Sequence, residues 1–322
     1  MQARCARWWM LALLLITAGA VHAQTHRLYL ASDGDDAAAG TSAATALQTL
    51  AEAQRRLQAQ PPPAQTAVEI VVAPGTYVGQ SVRWTFRNDD APLRIVAAPG
   101  AATMPRFDGG GGGTWFTLRG GGNQRTQLQF VGLEVSDYWM AMDLGSSNAA
   151  ADGNAGNEIR GMRFTRIGGI HGQGSPAYSY AAIRLQNSRD NLIADNQFSA
   201  IENSKETSGY IHALYLARHS TGNVVQGNTF TDVNGDVVRT RDASDATEVR
   251  GNRFVRAGKY AAFSDWFDLD QGECPSQGGR FVDNTVGAGY YGAIPATATT
   301  GADDACGALA TPRIVESGTI RE

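Results

Sequence analysis

The chain has 322 residues with a formal charge of −4, and a part of its Arg content lies in the first seven residues. An acidic balance of this kind argues against a nucleic-acid partner, while 43% hydrophobic and 18% charged residues exclude an intrinsically disordered chain. Gly, at 38 residues, is well above the usual level of about 7% and points to a turn-rich, all-β chain. The length would fit two domains at the usual ~150 residues each, or one elongated repeat fold.

The first segment, Met1 to Gln24, has basic Arg4 and Arg7, an apolar run from Trp8 to Ala20, and a small-x-small site at Val21-His22-Ala23. It reads as an export signal over residues 1–23. Its apolar run is short for a membrane span, and no cysteine follows closely to carry a lipid. A periplasmic or secreted protein without stable membrane insertion is expected, and no feature calls for more than a monomer.

His26 to Leu30 is strand-like, and Thr45 to Ala59 places Leu47, Leu50, Ala51 and Leu57 at helical spacing before Pro61-Pro62-Pro63. That helix is expected to cap the first coil of a solenoid, within a cap spanning residues 24–66. The runs Glu69 to Tyr77 and Arg94 to Gly100 are β-branched and stop at Pro-Gly; the Gly109 to Gly113 tract reads as a flexible turn.

From residue 126 onward the chain repeats. NLIADNQF (Asn191 to Phe198), NVVQGNTF (Asn223 to Phe230), TEVRGNRF (Thr247 to Phe254) and GRFVDNTV (Gly279 to Val286) share one pattern, with more distant copies at Thr126 to Val135 and Asn157 to Phe164. The register positions are Leu133, Met162, Asn196, Asn228, Asn252 and Asn284. The shortest step, 24 residues, suits one coil of a parallel β-helix. Asn tolerates a left-handed corner and can stack amide on amide, and Phe198, Phe230 and Phe254 are expected to stack inside. A right-handed crossover is the rule for parallel strands. Coils are expected over 67–286, with a C-terminal cap or tail over 287–322, all in one domain covering 24–322.

Two cysteines remain after the signal, Cys274 and Cys306. In an oxidising compartment they are expected to form a disulfide, tying a loop of the last repeat to the Gly/Ala/Thr-rich tail; two cysteines alone make a poor zinc site.

The opening Ala31 to Ala53, the VVAPGTY segment and the repeated GNxF corners together resemble bacterial right-handed parallel β-helix proteins of the pectate-lyase-like superfamily, over nearly the whole mature chain. The resemblance implies an all-β solenoid. It does not select one activity, because such scaffolds carry lyases, hydrolases, epimerases, esterases and tailspikes.

Loops longer than a coil requires precede two strands, at His171 to Tyr180 and Glu202 to Tyr210, and follow a third, at Phe267 to Gly278. The sheet between them, Ala182 to Gln186, Ala213 to Ala217, Val237 to Arg241 and Ala262 to Asp265, is expected to floor a groove for a chain-like ligand. Alternation turns Ile183, Leu185, Leu214, Leu216 and Val238 inward and Arg184, Gln186, Tyr215, Arg239, Arg241 and Asp265 outward, with Asp242 and Trp266 at the edge. Such a face suits β-elimination from a uronate polymer, in which a carboxylate is neutralised, the proton alpha to it removed and the glycosidic oxygen helped to leave. Arg239 and Arg241 are the carboxylate clamp, His212 and Tyr215 the base and acid, Asp265 an orienting or cation-binding group. Arg184, Lys205, His219, Asp242 and Trp266 are the substrate-binding candidates.

The calcium-binding aspartates and Arg-x-Pro-x-x-Arg segment of pectate lyases, the acidic set of polygalacturonases and the Asn-Lys-Ser segment of chondroitinase-B-like and alginate lyases are all missing. Arg241, in Arg239 to Ser244, stands at a place comparable to the Lys of that last segment. Calcium is the cation such lyases use, yet no Asp-rich loop of recognisable spacing occurs. The expected function is a secreted polysaccharide lyase on an acidic polysaccharide. The alternatives are a glycoside hydrolase using Asp242 and Asp265, or a non-catalytic carbohydrate-binding β-helix.

Overall fold

A computed structural model describes residues 25–88, 91–119, 124–145, 153–172, 177–301, 306–308, 310 and 312–322. The export signal expected over residues 1–23 lies outside the described residues. Among them, no helix is long and apolar enough to cross a membrane.

The repeated segments build parallel sheets in which each coil adds one strand. A ten-stranded sheet runs in chain order from His26–Leu30 through Val68–Val72, Leu93–Ala97, Leu128–Val131, Glu158–Arg160, Leu192–Ala194, Val224–Gln226, Glu248–Arg250 and Gly279–Val282 to Ile314–Ser317. A fifteen-stranded sheet carries the other two sides. It divides at the long strand Glu134–Leu144, whose first half pairs with Arg163–Ile167 and whose second half pairs with Ala181–Gln186. From there one limb holds the strands of the GNxF corners and the other the four expected floor strands. The molecule is a parallel β-helix, and both sheets continue past Val286 through Ile314–Ser317 and Ile320–Arg321.

The corner asparagines hold the coils in register. Asn196, Asn228 and Asn252 each donate both backbone N–H and Nδ2 to Oδ1 of the next asparagine, ending at Asn284, all at 2.8–3.0 Å. Met162 feeds its N–H into the same column. Each Nδ2 also reaches a backbone carbonyl of the previous coil, so these buried amides are satisfied. The left-handed residue at each corner is the one before the asparagine, namely Asp195, Gly227, Gly251 and Asp283, which leaves the Asn amide free to turn inward. A second column that the repeat pattern had not suggested, Asn157–Asn191–Asn223, works in the same way. Phe164, Phe198, Phe230 and Phe254 stack inside with ring centroids 4.9–5.1 Å apart.

Two expectations shift. The helix spans Leu50–Ala59, shorter than the Thr45–Ala59 pattern, because the Thr49 hydroxyl caps it by accepting the Glu52 N–H; Leu50, Ala53 and Leu57 enter the common core. The Gly109–Gly113 tract is a bulge inside the strand Arg106–Leu118, not a loop. Asp108 pairs with Ser136 and Gly112 with Tyr138, so the extra residues bow outward. A Cβ on Gly109 would lie 2.4 Å from the Asp137 carbonyl oxygen, which is why glycine stands there.

Candidate active site

The four expected floor strands lie side by side. Arg184, Tyr215, Arg239 and Ser264 are register partners in one row across successive coils, and Ile183, Leu214, Val238 and Phe263 form the buried row beneath. The loops before and after these strands enclose a cleft of about 520 Å³ over the row. It is lined by His212, Tyr215, Arg239, Arg241, Asp265 and Trp266 of the sequence-derived set, together with Glu206, Asp236 and Lys259.

Asp236 organises one side. Its carboxylate accepts hydrogen bonds from Arg239 Nη2, from Ser264 Oγ at 2.6 Å and from the backbone N–H of Tyr260 and Ala261. Burial alone would push this carboxyl up, but Arg239 and the hydrogen bonds outweigh it and hold Asp236 below the usual carboxylate range. Its backbone carbonyl accepts from His212 Nδ1 at 2.8 Å. Because a carbonyl only accepts, Nδ1 carries the proton and Nε2 is the basic nitrogen. Burial first, then the Arg239 charge, depresses the His212 pKa well below 6.5, so the imidazole is neutral around pH 7. Its ring centroid lies 5.1 Å from that of Tyr215.

Arg241 organises the other side. Its Nη1 donates to Tyr215 Oη at 3.2 Å, its Nε to Glu273 at 2.6 Å, and its guanidinium stacks 4.3 Å over the Trp266 ring. Glu273 adjoins Cys274, which is disulfide-bonded to Cys306 with 5.8 Å between Cα atoms. The expected bridge is thus present and holds the loop on which Arg241 leans.

The other candidates are placed differently from the sequence expectation. Asp265 points inward: it is the register partner of Thr240 below the floor, 1% exposed, bonded to Thr240 Oγ1 and the Ser276 N–H, and 3.3 Å from Arg313. Strand alternation counted through Thr240 places it on the core side, and burial raises its carboxyl to about 6 despite those partners. The residue borders the cleft, but its carboxylate is engaged by Thr240, Ser276 and Arg313 and is not hydrogen-bonded to His212 or Tyr215. Lys205 is exposed and outside the lining, and the lysine that reaches the cleft is Lys259, 3.1 Å from Ser208 Oγ. His219 is exposed on the left-handed turn after its strand, away from the cleft lining. Arg184 is clamped by both Asp143 oxygens at 2.9 Å; with Asp242 it lines a smaller adjoining depression of about 190 Å³.

Asp236, Glu273 and Lys259 were not singled out in the sequence. The signal for Asp236 was its distance of one 24-residue coil from His212. Among the described residues no group of three His, Cys, Asp or Glu side chains could hold a metal ion.

Solved structures bear out the parallel β-helix fold. The chain is similar to alginate lyase from Paenibacillus sp. str. FPU-7, with a TM-score of 0.56, 14% identity, and coverage of 92% of this chain and 95% of that one. It is also similar to pectate lyase Pel9A, with a TM-score of 0.51, 12% identity, and coverage of 92% and 80%. No protein-family model matches the chain, and no curated protein matches its sequence.

Proposed function

We propose that the protein is a secreted polysaccharide lyase that cleaves an acidic, uronate-containing polysaccharide by β-elimination. The observation that carries this reading is the placement of Tyr215 between two arginines, Arg239 beside it in the row and Arg241 on its hydroxyl, with a neutral histidine next to it. The fold neighbours named above, an alginate lyase and a pectate lyase, support the same class of chemistry.

His212 is the base: with Nδ1 protonated and its pKa depressed, Nε2 takes the proton alpha to the uronate carboxyl group. The C–H electron pair becomes the new carbon–carbon double bond as the bond to the glycosidic oxygen breaks. Tyr215 donates its proton to that departing oxygen, and the Arg241 N–H stabilises the phenolate left behind. Arg239 and Lys259 face the carboxylate and the negative charge that develops on it. A hydrolase would need two carboxylates across the cleft; of the expected pair, Asp265 has its carboxylate engaged by Thr240, Ser276 and Arg313 at 1% exposure, and Asp242 lines the adjoining depression.

The test is mass analysis of products from a panel of uronate polymers and glycosaminoglycans, with and without calcium or chelator. Elimination yields one end that is unsaturated and lighter by one water than a hydrolysis product. Products of hydrolytic mass would replace this reading with a hydrolase; an unchanged polymer that binds would replace it with a carbohydrate-binding protein.

A further inference from the structure

Resting on that reading of the cleft, we infer that Arg218 binds an acidic group, a carboxylate or a sulfate, on the sugar at the far side of the broken bond. The cleft holds the uronate that loses its proton, beside His212, Arg239 and Lys259. Next to it lies the depression of about 190 Å³, lined by Arg184, Arg218, Arg241, Asp242 and Glu273. Tyr215 and Arg241 border both hollows. Because Tyr215 protonates the departing oxygen, that oxygen stands at the shared border, and the sugar that keeps it extends over the depression. Arg184 and Arg239 are the register neighbours of Tyr215 on its two sides. Coils rise about 4.8 Å each, a spacing near the length of one sugar residue, so the two sugars that flank the bond meet different arginines.

The backbone singles out Arg218. It stands at a left-handed corner one residue past its strand, with φ 57°, where the neighbouring coils place Asn187 and Asp242, with φ 49° and 54°. Asn and Asp adopt this conformation more readily than a long side chain does. Arg166 and Arg256 also occupy left-handed corners, and each ion-pairs with an aspartate, Asp137 and Asp232. The half-buried Arg218 guanidinium has no ion pair or hydrogen bond among the described residues. An unfavourable corner kept without a structural partner, on the wall of a hollow, points to a binding role.

The surrounding charges leave room for an anion. Arg119 and Arg184 share the single carboxylate of Asp143, and Arg241 meets Glu273. Burial opposes ionisation of Asp143, yet its two arginines hold the carboxyl below the usual range, so it stays charged. Asp242 makes no ion pair among the described residues. With Arg218, four guanidiniums therefore stand against three carboxylates, and the balance is positive. A planar guanidinium takes a carboxylate or a sulfate through paired N–H donors.

The experiment is isothermal titration of full-length Tyr215→Phe protein, with and without Arg218→Asn, against hexasaccharides of galacturonate, mannuronate, chondroitin 4-sulfate and unsulfated chondroitin. The last of these sets a neutral sugar beside every uronate. Arg218→Asn should lose about tenfold of the affinity for a hexuronate or for the sulfated ligand, and less than twofold for unsulfated chondroitin, with Arg218→Lys restoring part of the loss. A loss confined to the hexuronates identifies a carboxylate, and one confined to the sulfated ligand a sulfate. Because asparagine suits the corner, the urea midpoint should not fall. An equal change for all four ligands, no change, no binding of any ligand, or a clear drop in the urea midpoint overturns the inference. Failure of the lyase reading is separate: wild-type protein would then bind the same oligosaccharide through Arg218 and leave it intact.

Discussion

At the residue scale, two groups carry opposite demands. Tyr215 is half-exposed and is the proton donor of the proposed elimination, so Tyr215→Phe keeps the ring and removes the proton; kcat should fall by about 10²- to 10⁴-fold with little change in KM, measured in initial-rate assays. His212 is buried and, to act as the proposed base, must start neutral. Its folded pKa lies below the ordinary 6.5, so below that pH the unfolded chain binds a proton that the folded chain refuses. The stability difference between wild type and His212→Gln should therefore shift against wild type as pH falls below about 6.5, and level off above it, in urea denaturation at a series of pH values. A difference independent of pH between 5 and 8 would mean that the imidazole titrates as in water. Residues of this kind were only partly legible in the sequence. Tyr215 and Arg239 followed from strand alternation, but Asp265 was set outward although Ser264, the partner of Arg239, is the outward residue of its short strand, and Lys259 was hidden in a loop whose course no period fixes.

At the element scale, the columns that join coils set the register of the floor. Asn228→Ala would leave the buried N–H groups of Asn196 without their acceptor and the Ile193 carbonyl without its donor. Each such loss costs roughly 1–3 kcal/mol, so a destabilisation of about 3 kcal/mol or more is expected in equilibrium urea unfolding, against less than about 0.5 kcal/mol for an exposed control. The disulfide acts on a different element. It closes a 32-residue separation and so contributes about 3 to 4 kcal/mol by loop-closure entropy. It also tethers Glu273, on which Arg241 leans. The Cys274→Ser/Cys306→Ser double variant should lose that stability and also bind substrate more weakly, read as a raised KM. Both pairings were readable in advance, the cysteines from compartment and count, the asparagines from a spacing that survives loops of different length. The second Asn column was missed because Thr247 replaces Asn in one coil and breaks the pattern.

At the scale of the whole molecule, the fold was legible because a solenoid writes its period into the chain. Phe at two residues past each corner and β-branched runs on either side fix the coil whatever the loops do. The cleft was legible as a place, the sheet flanked by the longest insertions. Its chemistry was less so, because electrostatics belongs to neighbours across coils. Asp236 is chemically silent in the sequence and becomes the partner of Arg239, Ser264 and the His212 tautomer only after 24 residues return to the same corner. The decisive measurement is the near-ultraviolet absorbance of full-length protein incubated with uronate polymers, beside the Tyr215→Phe variant. A rising signal from the conjugated double bond, lost in the variant, is the predicted result. New reducing ends without absorbance, or an undiminished rise with Tyr215→Phe, would contradict elimination at this cleft.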